Sequence, residues 1–151
     1  MNLKSAVCIV TGAGTGSGAA CAVQLAAKGC RVVVNYSRSE KEARETVKAC
    51  ESAGGEAMLA RGDVANDADC RALAQAALDK WGRIDALINN AGITKYASAS
   101  DLEALDAADF QRIYAVNLIG PYQMIRACAP AMKKQGAGSI VNISSISGVM
   151  G

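Results

Sequence analysis

The chain has no histidine, only two prolines, and just one tryptophan and one phenylalanine. Without histidine its six cysteines have no partner for a mixed Cys/His metal site. No two of them form a C-x-x-C pair either. Cys8, Cys21, Cys30, Cys50, Cys70 and Cys128 sit among Ala, Val and Leu, where a free thiol acts as a small hydrophobe. The expectation is reduced, structural thiols, no metal, and a cytoplasmic setting. Net charge is also scarce, at +2, too little to imply nucleic acid or an anionic membrane as partner. No apolar run approaches the ~20 residues of a membrane span. The opening MNLKSAVCIVTG has one lysine and a short apolar run, too short for the core of a secretory leader. Low-complexity tracts, an interdomain linker and short-period repeats are absent as well.

What is present suits one globular domain. The 151 residues are 51% apolar and 20% charged, and a globule of that size buries roughly 70% of its unfolded surface. Strand-like and helix-like stretches alternate. AVCIVT (6–11) is short, apolar and β-branched, a buried strand. A helix of small residues follows over 17–28, ended by Gly29, and CRVVVNY (30–36) is a second strand. Ser39 with Glu42 predicts a capping box for the next helix, which Gly54 and Gly55 stop. A strand at 56–64 precedes a helix capped by Asn66 or Asp67 and running to Trp81, with Cys70, Leu73, Ala77 and Trp81 on one face. Residues 83–92 hold a fourth strand. After a loop, a long helix spans 109–134, with a kink or break expected at Pro121 and Pro130. Residues 136–145 hold the fifth strand. The pattern predicts an α/β chain with a doubly wound Rossmann fold: a parallel sheet in the order 3-2-1-4-5, helices on both faces.

In such a fold ligands bind at the carboxyl ends of the strands. Polar residues gather there: Thr11–Gly18, Asn35–Ser39, Asp63 and Val64, Asn89–Gly92, and Asn142–Ser145. The first cluster, TGAGTGSG, does not fit G-x-G-x-x-G, since Ser17 stands where the third glycine belongs. It fits G-x-x-x-G-x-G with Gly12, Gly16 and Gly18, and Gly14 as an extra. One glycine permits a sharp turn, one lets backbone approach a pyrophosphate, and one lets helix pack against sheet. The helix N-terminus then offers N–H groups to phosphate. Thr11, Thr15 and Ser17 add hydroxyls around the turn.

Taken together, TGAGTGSG (11–18), DV (63–64), NNAG (89–92), AVNLIGPY (115–122) and GSIVNISSISG (138–148) resemble the short-chain dehydrogenases/reductases, in that family's order along the whole chain. The resemblance implies that Gly12, Gly16 and Gly18 line a dinucleotide. It implies that Asp63 meets the adenine amino group with Val64 against the ring, and that Asn90, Ala91 and Gly92 line the inner ribose side. Asn117 matches the active-site asparagine. Ser145 matches the catalytic serine, three before Gly148, with Ser144 as the neighbouring candidate. Asp63 also reads as a simple turn cap, and Asn89 as a sheet-holding residue.

The end of strand two bears on the cofactor. An acid there would hold the adenosine 2′-hydroxyl and repel a 2′-phosphate. The sequence offers Asn35, Tyr36, Ser37 and Arg38 instead. Arginine with hydroxyls suits a phosphate dianion, so NADP is expected over NAD. Arg38 also reads as a solvated charge near a helix cap.

The family's chemistry uses a tyrosine whose pKa is lowered by a lysine four residues on. No Tyr-x-x-x-Lys occurs in these residues: Tyr36, Tyr96, Tyr114 and Tyr122 are followed at that spacing by Glu40, Ser100, Leu118 and Arg126. The reading is therefore the N-terminal, dinucleotide-binding part (1–151) of a longer oxidoreductase. Such an enzyme acts on a small carbonyl or secondary alcohol and forms a homodimer or homotetramer through the long helix. The general build leans toward the 3-oxoacyl-carrier-protein reductase and glucose dehydrogenase branches. The other reading is a nucleotide-binding module without catalysis. A methyltransferase of similar fold fits NNAG and the serine strand poorly.

Overall fold

The computed structural model describes residues 3–98 and 100–145. Ser147 and Gly148, which enter the serine spacing, lie outside the described residues. Strands β1 (Val7–Val10), β2 (Arg31–Tyr36), β3 (Glu56–Arg61), β4 (Ala86–Asn89) and β5 (Ser139–Asn142) form one sheet. Its order is β3-β2-β1-β4-β5 and every neighbouring pair is parallel. Helices α1 (Gly16–Ala27), α2 (Glu40–Ser52), α3 (Asp67–Trp81), α4 (Ala107–Tyr114) and α5 (Gly120–Gln135) connect them.

All four residues of β1 are buried, because a central parallel strand is covered on both faces. Strand alternation then divides the core in two. Cys8, Val10, Val32 and Val34 pack with Ala22 and Ala26 of α1 and Ala43 and Cys50 of α2. Val7, Ile9, Val33 and Leu87 pack with Leu73 and Ala77 of α3 and Met124, Cys128 and Met132 of α5. The cysteines are all free, and five of the six are buried. Burial pushes the Cys50 thiol up to about 11 and those of Cys70 and Cys128 up to about 12. Reactive thiols need the opposite shift. Among the described residues no cluster of His, Cys, Asp or Glu could hold a metal. No helix among those residues is long and apolar enough to cross a membrane.

Two helix ends differ from expectation. Ser39 precedes α2, but its side chain makes no cap bond, and its backbone (φ −85°, ψ 61°) departs from the extended geometry of an N-cap. The capping box forms instead at α4, where Asp106 and Asp109 each accept from the other's backbone N–H. The long helix runs without a break from Ala107 to Gln135, so neither proline ends it. A π-helical turn, Ala115–Ile119, separates α4 from α5. Pro121 is the second residue of α5, directly after the π-helical turn, whose altered hydrogen bonding accommodates its missing donor. Pro130 lies inside α5 and is accommodated there.

Candidate nucleotide-binding site

Parallel strands bring their carboxyl ends to one edge, and there the structure has a cleft of about 260 Å³. Gly12, Gly14, Thr15, Asn35, Tyr36, Ser37, Asp63, Val64, Asn90, Ala91 and Gly92 line it. Ser39 of the Asn35–Ser39 cluster and Val116 of AVNLIGPY line it too, with Gly62, Ile93 and Arg112, which no sequence motif marks. Arg38 borders an adjoining pocket with Ser37, Arg61, Gly62, Asp63 and Asp69. Gly16, Ser17 and Gly18 form the first turn of α1.

Gly12, Gly16 and Gly18 are constrained in different ways. Gly12 has φ +62°, and a Cβ there would stand 2.9 Å from the Ala91 Cα. A Cβ on Gly18 would run into the Asn90 side chain and the Gly12 carbonyl. Gly16 has φ +56° but faces open space, with nothing within 4 Å of an added Cβ. That leaves bare backbone at the mouth of the loop. Thr15, extended at φ −146° and ψ 169°, makes no side-chain cap bond to α1. The first turn of α1 carries no acid, whereas the first turns of α2, α3 and α4 all do. The positive end of α1 is therefore left uncompensated beside the loop.

Three polar residues of the site are turned inward. Thr11, expected among the hydroxyls of the turn, is buried, and its Oγ1 accepts from the N–H groups of Asn90 and Ala91, each at 3.0 Å. The Asn90 amide donates to the carbonyls of Thr11 (2.9 Å) and Gly12 (3.2 Å). Asn35, read as standing in for the strand-two acid, is 1% exposed. Its Oδ1 accepts from Gly12 N–H at 3.1 Å, and its amide donates to Gly62 O at 3.0 Å and Ala60 O at 3.3 Å. This side chain braces the glycine loop against β3 and does not present itself to a ribose. At the other side of the sheet, Asn89 donates to Asn142 Oδ1 at 2.8 Å and joins β4 to β5.

Asp63 holds two partners. Its Oδ1 accepts from Ala65 N–H at 3.0 Å and its Oδ2 from Arg112 at 2.8 Å. Burial pushes its carboxyl up, but the Ala65 N–H and the Arg112 guanidinium outweigh it and hold the group below the ordinary carboxylate range. It is an anion at neutral pH, both turn cap and cleft wall. Val64 is anchored from α5: Gln123 donates to its carbonyl at 2.8 Å, and Gly120 lies so close that a Cβ would stand 2.8 Å from Val64 Cγ2. Burial, then a hydrogen bond to the Glu40 carboxylate, raise the Tyr36 phenol above its usual value, the wrong direction for a proton donor near neutrality. Arg38 and Arg61 make no ion pair among the described residues.

Asn117 lies in the π-helical turn. Its amide donates to Ile93 O at 2.8 Å, and its Oδ1 accepts from Ile93 N–H at 2.9 Å. Ser144 and Ser145 follow β5 and are exposed.

A profile of the short chain dehydrogenase family matches residues 6–151. The chain is 41% identical over 151 residues to an uncharacterized oxidoreductase of Thermotoga maritima, covering 100% of this chain and 58% of that protein. It is 41% identical over 149 residues to a 3-oxoacyl-[acyl-carrier-protein] reductase of Synechocystis, covering 99% of this chain and 59% of that one. A crystal structure of a metagenomic short-chain oxidoreductase in complex with NADP superposes with a TM-score of 0.90 at 37% identity, over 100% of this chain and 67% of that one. The chain thus spans less than two thirds of the length of the two curated relatives.

Proposed function

The chain belongs to the short-chain dehydrogenase family, and from that premise we propose that its cleft binds NADPH for hydride exchange with a carbonyl or secondary alcohol. One observation carries the reading: an acid-free, uncapped helix N-terminus meets a loop where Gly12 and Gly18 have no room for a side chain and Gly12 and Gly16 have a left-handed backbone. That is a cradle for a pyrophosphate. Gly12, Gly14, Thr15, Gly16, Ser17 and Gly18 surround the phosphates, with Thr11 fixing the loop from below. Tyr36 and Ser37 flank the adenosine, braced by Asn35, and Arg38 receives the 2′-phosphate. Asp63 and Val64 take the adenine, and Asn90, Ala91 and Gly92 the inner ribose. The bound cofactor supplies the hydride.

Asn117 and Ser145 form the substrate side of the proposal. The serine orients the substrate oxygen and the asparagine fixes the loop after β4. Residues 1–151 act as the dinucleotide-binding domain, and proton transfer requires a tyrosine–lysine pair that these residues do not contain at that spacing. Within the family we favour the 3-oxoacyl-carrier-protein reductase branch, because the Synechocystis relative bears that name. A second reading is a nucleotide-binding module without catalysis. For the whole protein we propose a cytoplasmic homo-oligomer.

The test is calorimetric titration of the chain with NADPH and NADH, followed by an assay against a panel of small ketones. The expected result is binding, tighter for NADPH, without turnover. Failure to bind either dinucleotide would overturn the cofactor reading. Turnover by these residues alone would overturn the assignment of proton transfer to a missing pair.

A further inference from the structure

Arg112 and Asp63 stand 49 residues apart in sequence and meet at 2.8 Å across the cleft wall. Their side chains are 40% and 36% exposed, and ion pairs so wet contribute little to stability. The pair therefore needs another reason. Asp63 is held from two sides, Oδ1 by Ala65 N–H and Oδ2 by Arg112. An ionised carboxylate has about four lone-pair sites, so each oxygen keeps one to offer the cleft. The loop behind it is pinned as well, since Gln123 takes the Val64 carbonyl and Gly120 packs on Val64. The Ala65 N–H alone holds one carboxylate oxygen and leaves the group able to swing about that bond; the Arg112 bond to the other oxygen removes this freedom. The other cation that acts on Asp63 is Arg38, which borders the adjoining pocket. Without Arg112 the carboxylate is free to turn that way.

We propose that Arg112 is a positioning residue for base selection, aiming the Asp63 carboxylate so that the cleft accepts a 6-amino purine and rejects a 6-oxo purine. The proposal rests on the reading of the cleft as a dinucleotide site. A fixed carboxylate only accepts hydrogen bonds: it matches an exocyclic amino group and repels a carbonyl oxygen in the same place. A carboxylate free to turn aside would lose that discrimination while the phosphates and ribose kept their own contacts.

The experiment measures dissociation constants of the chain for NADPH and for reduced nicotinamide hypoxanthine dinucleotide phosphate, which differs at the base alone. One charged hydrogen bond predicts a preference of about tenfold to a hundredfold for the adenine form in the native chain. Arg112→Ala is expected to bring the ratio to within about threefold, and Arg112→Lys to restore part of it. Thermal melts check folding, and Arg112→Gln, a shorter side chain that keeps part of the apolar stem and a donor without the charge, serves if the alanine variant does not fold. If affinity for both dinucleotides falls equally and the ratio stays, Arg112 is merely structural and the proposal fails. If the native chain binds both equally, Asp63 does not read the base and the proposal fails at that residue. If it binds neither, the dinucleotide reading itself falls.

Discussion

The Asn35 side chain accepts a hydrogen bond from the Gly12 N–H at 3.1 Å, so the end of β2 holds the first turn of the glycine loop. Its two amide donors are committed to carbonyls of the β3 exit. A carboxylate at this position would set its oxygens against Ala60 O and Gly62 O with no donor between them. Asn35→Asp is therefore expected to cost about 2–4 kcal/mol of stability. It is not expected to improve NADH binding, because the side-chain oxygen and amide at this position are committed to the glycine loop and the end of β3. Chemical denaturation and an NADH titration check both halves. A variant as stable as the parent that gains NADH affinity would restore the acid-replacement reading.

Gly12 and Gly16 share a left-handed backbone but differ in their surroundings. At Gly16 an alanine meets only the conformational cost of about 1–2 kcal/mol. At Gly12 the same cost is joined by a clash with Ala91, for a total of about 3 kcal/mol or more. Gly12→Ala should melt well below Gly16→Ala. Gly16→Ala should fold yet weaken NADPH binding at least about tenfold, because its Cβ would occupy the open mouth of the loop. Equal melting temperatures for the two would contradict the steric distinction.

The sheet was legible because each strand is a short apolar run bounded by glycine or polar residues. Parallel pairing, once inferred, dictates where the polar ends collect. The glycines were legible because backbone geometry and residue type are tightly coupled. Side-chain direction was not. Asn35 and Tyr36 are neighbours, and nothing in their order says which one turns toward the glycine loop. Arg112 is illegible for a different reason: it belongs to no motif, and only the folded topology brings it beside Asp63, 49 residues away. The irregularity of the long helix is half legible: Pro121 lies close to it, but it takes the form of a π-helical turn, Ala115–Ile119, and not of a kink at the proline.

Arg38 and Arg61 border one pocket with the Ser37 hydroxyl, and neither is paired with a carboxylate among the described residues. For a 2′-phosphate, a charge-assisted contact is worth about 1.5–3 kcal/mol. Arg38→Ala should weaken NADPH binding about tenfold to a hundredfold and leave NADH binding within about threefold. Parallel titrations of the two cofactors separate these outcomes. Equal losses for both would assign Arg38 to general electrostatics.

Asp85 gives the fold a pH dependence with a definite sign. Its carboxylate is 6% exposed and accepts from Val7 N–H at 2.8 Å and from Arg83 at 2.8 and 2.6 Å. Burial pushes its pKa up, but the Arg83 guanidinium and the Val7 N–H outweigh it, so the net shift is downward. A depressed folded pKa means the stabilisation is fully present above the unfolded carboxylate value of about 3.9 and is lost as pH falls through the lower folded value. Asp85→Asn keeps an acceptor for Val7 and loses the charge. It should cost about 1–3 kcal/mol at pH 7 and progressively less as the native carboxylate protonates. Urea denaturation of both forms at pH 7 and pH 3 measures the gap. A gap that stays constant, or widens in acid, would show that the charge of Asp85 is not what stabilises the base of the sheet.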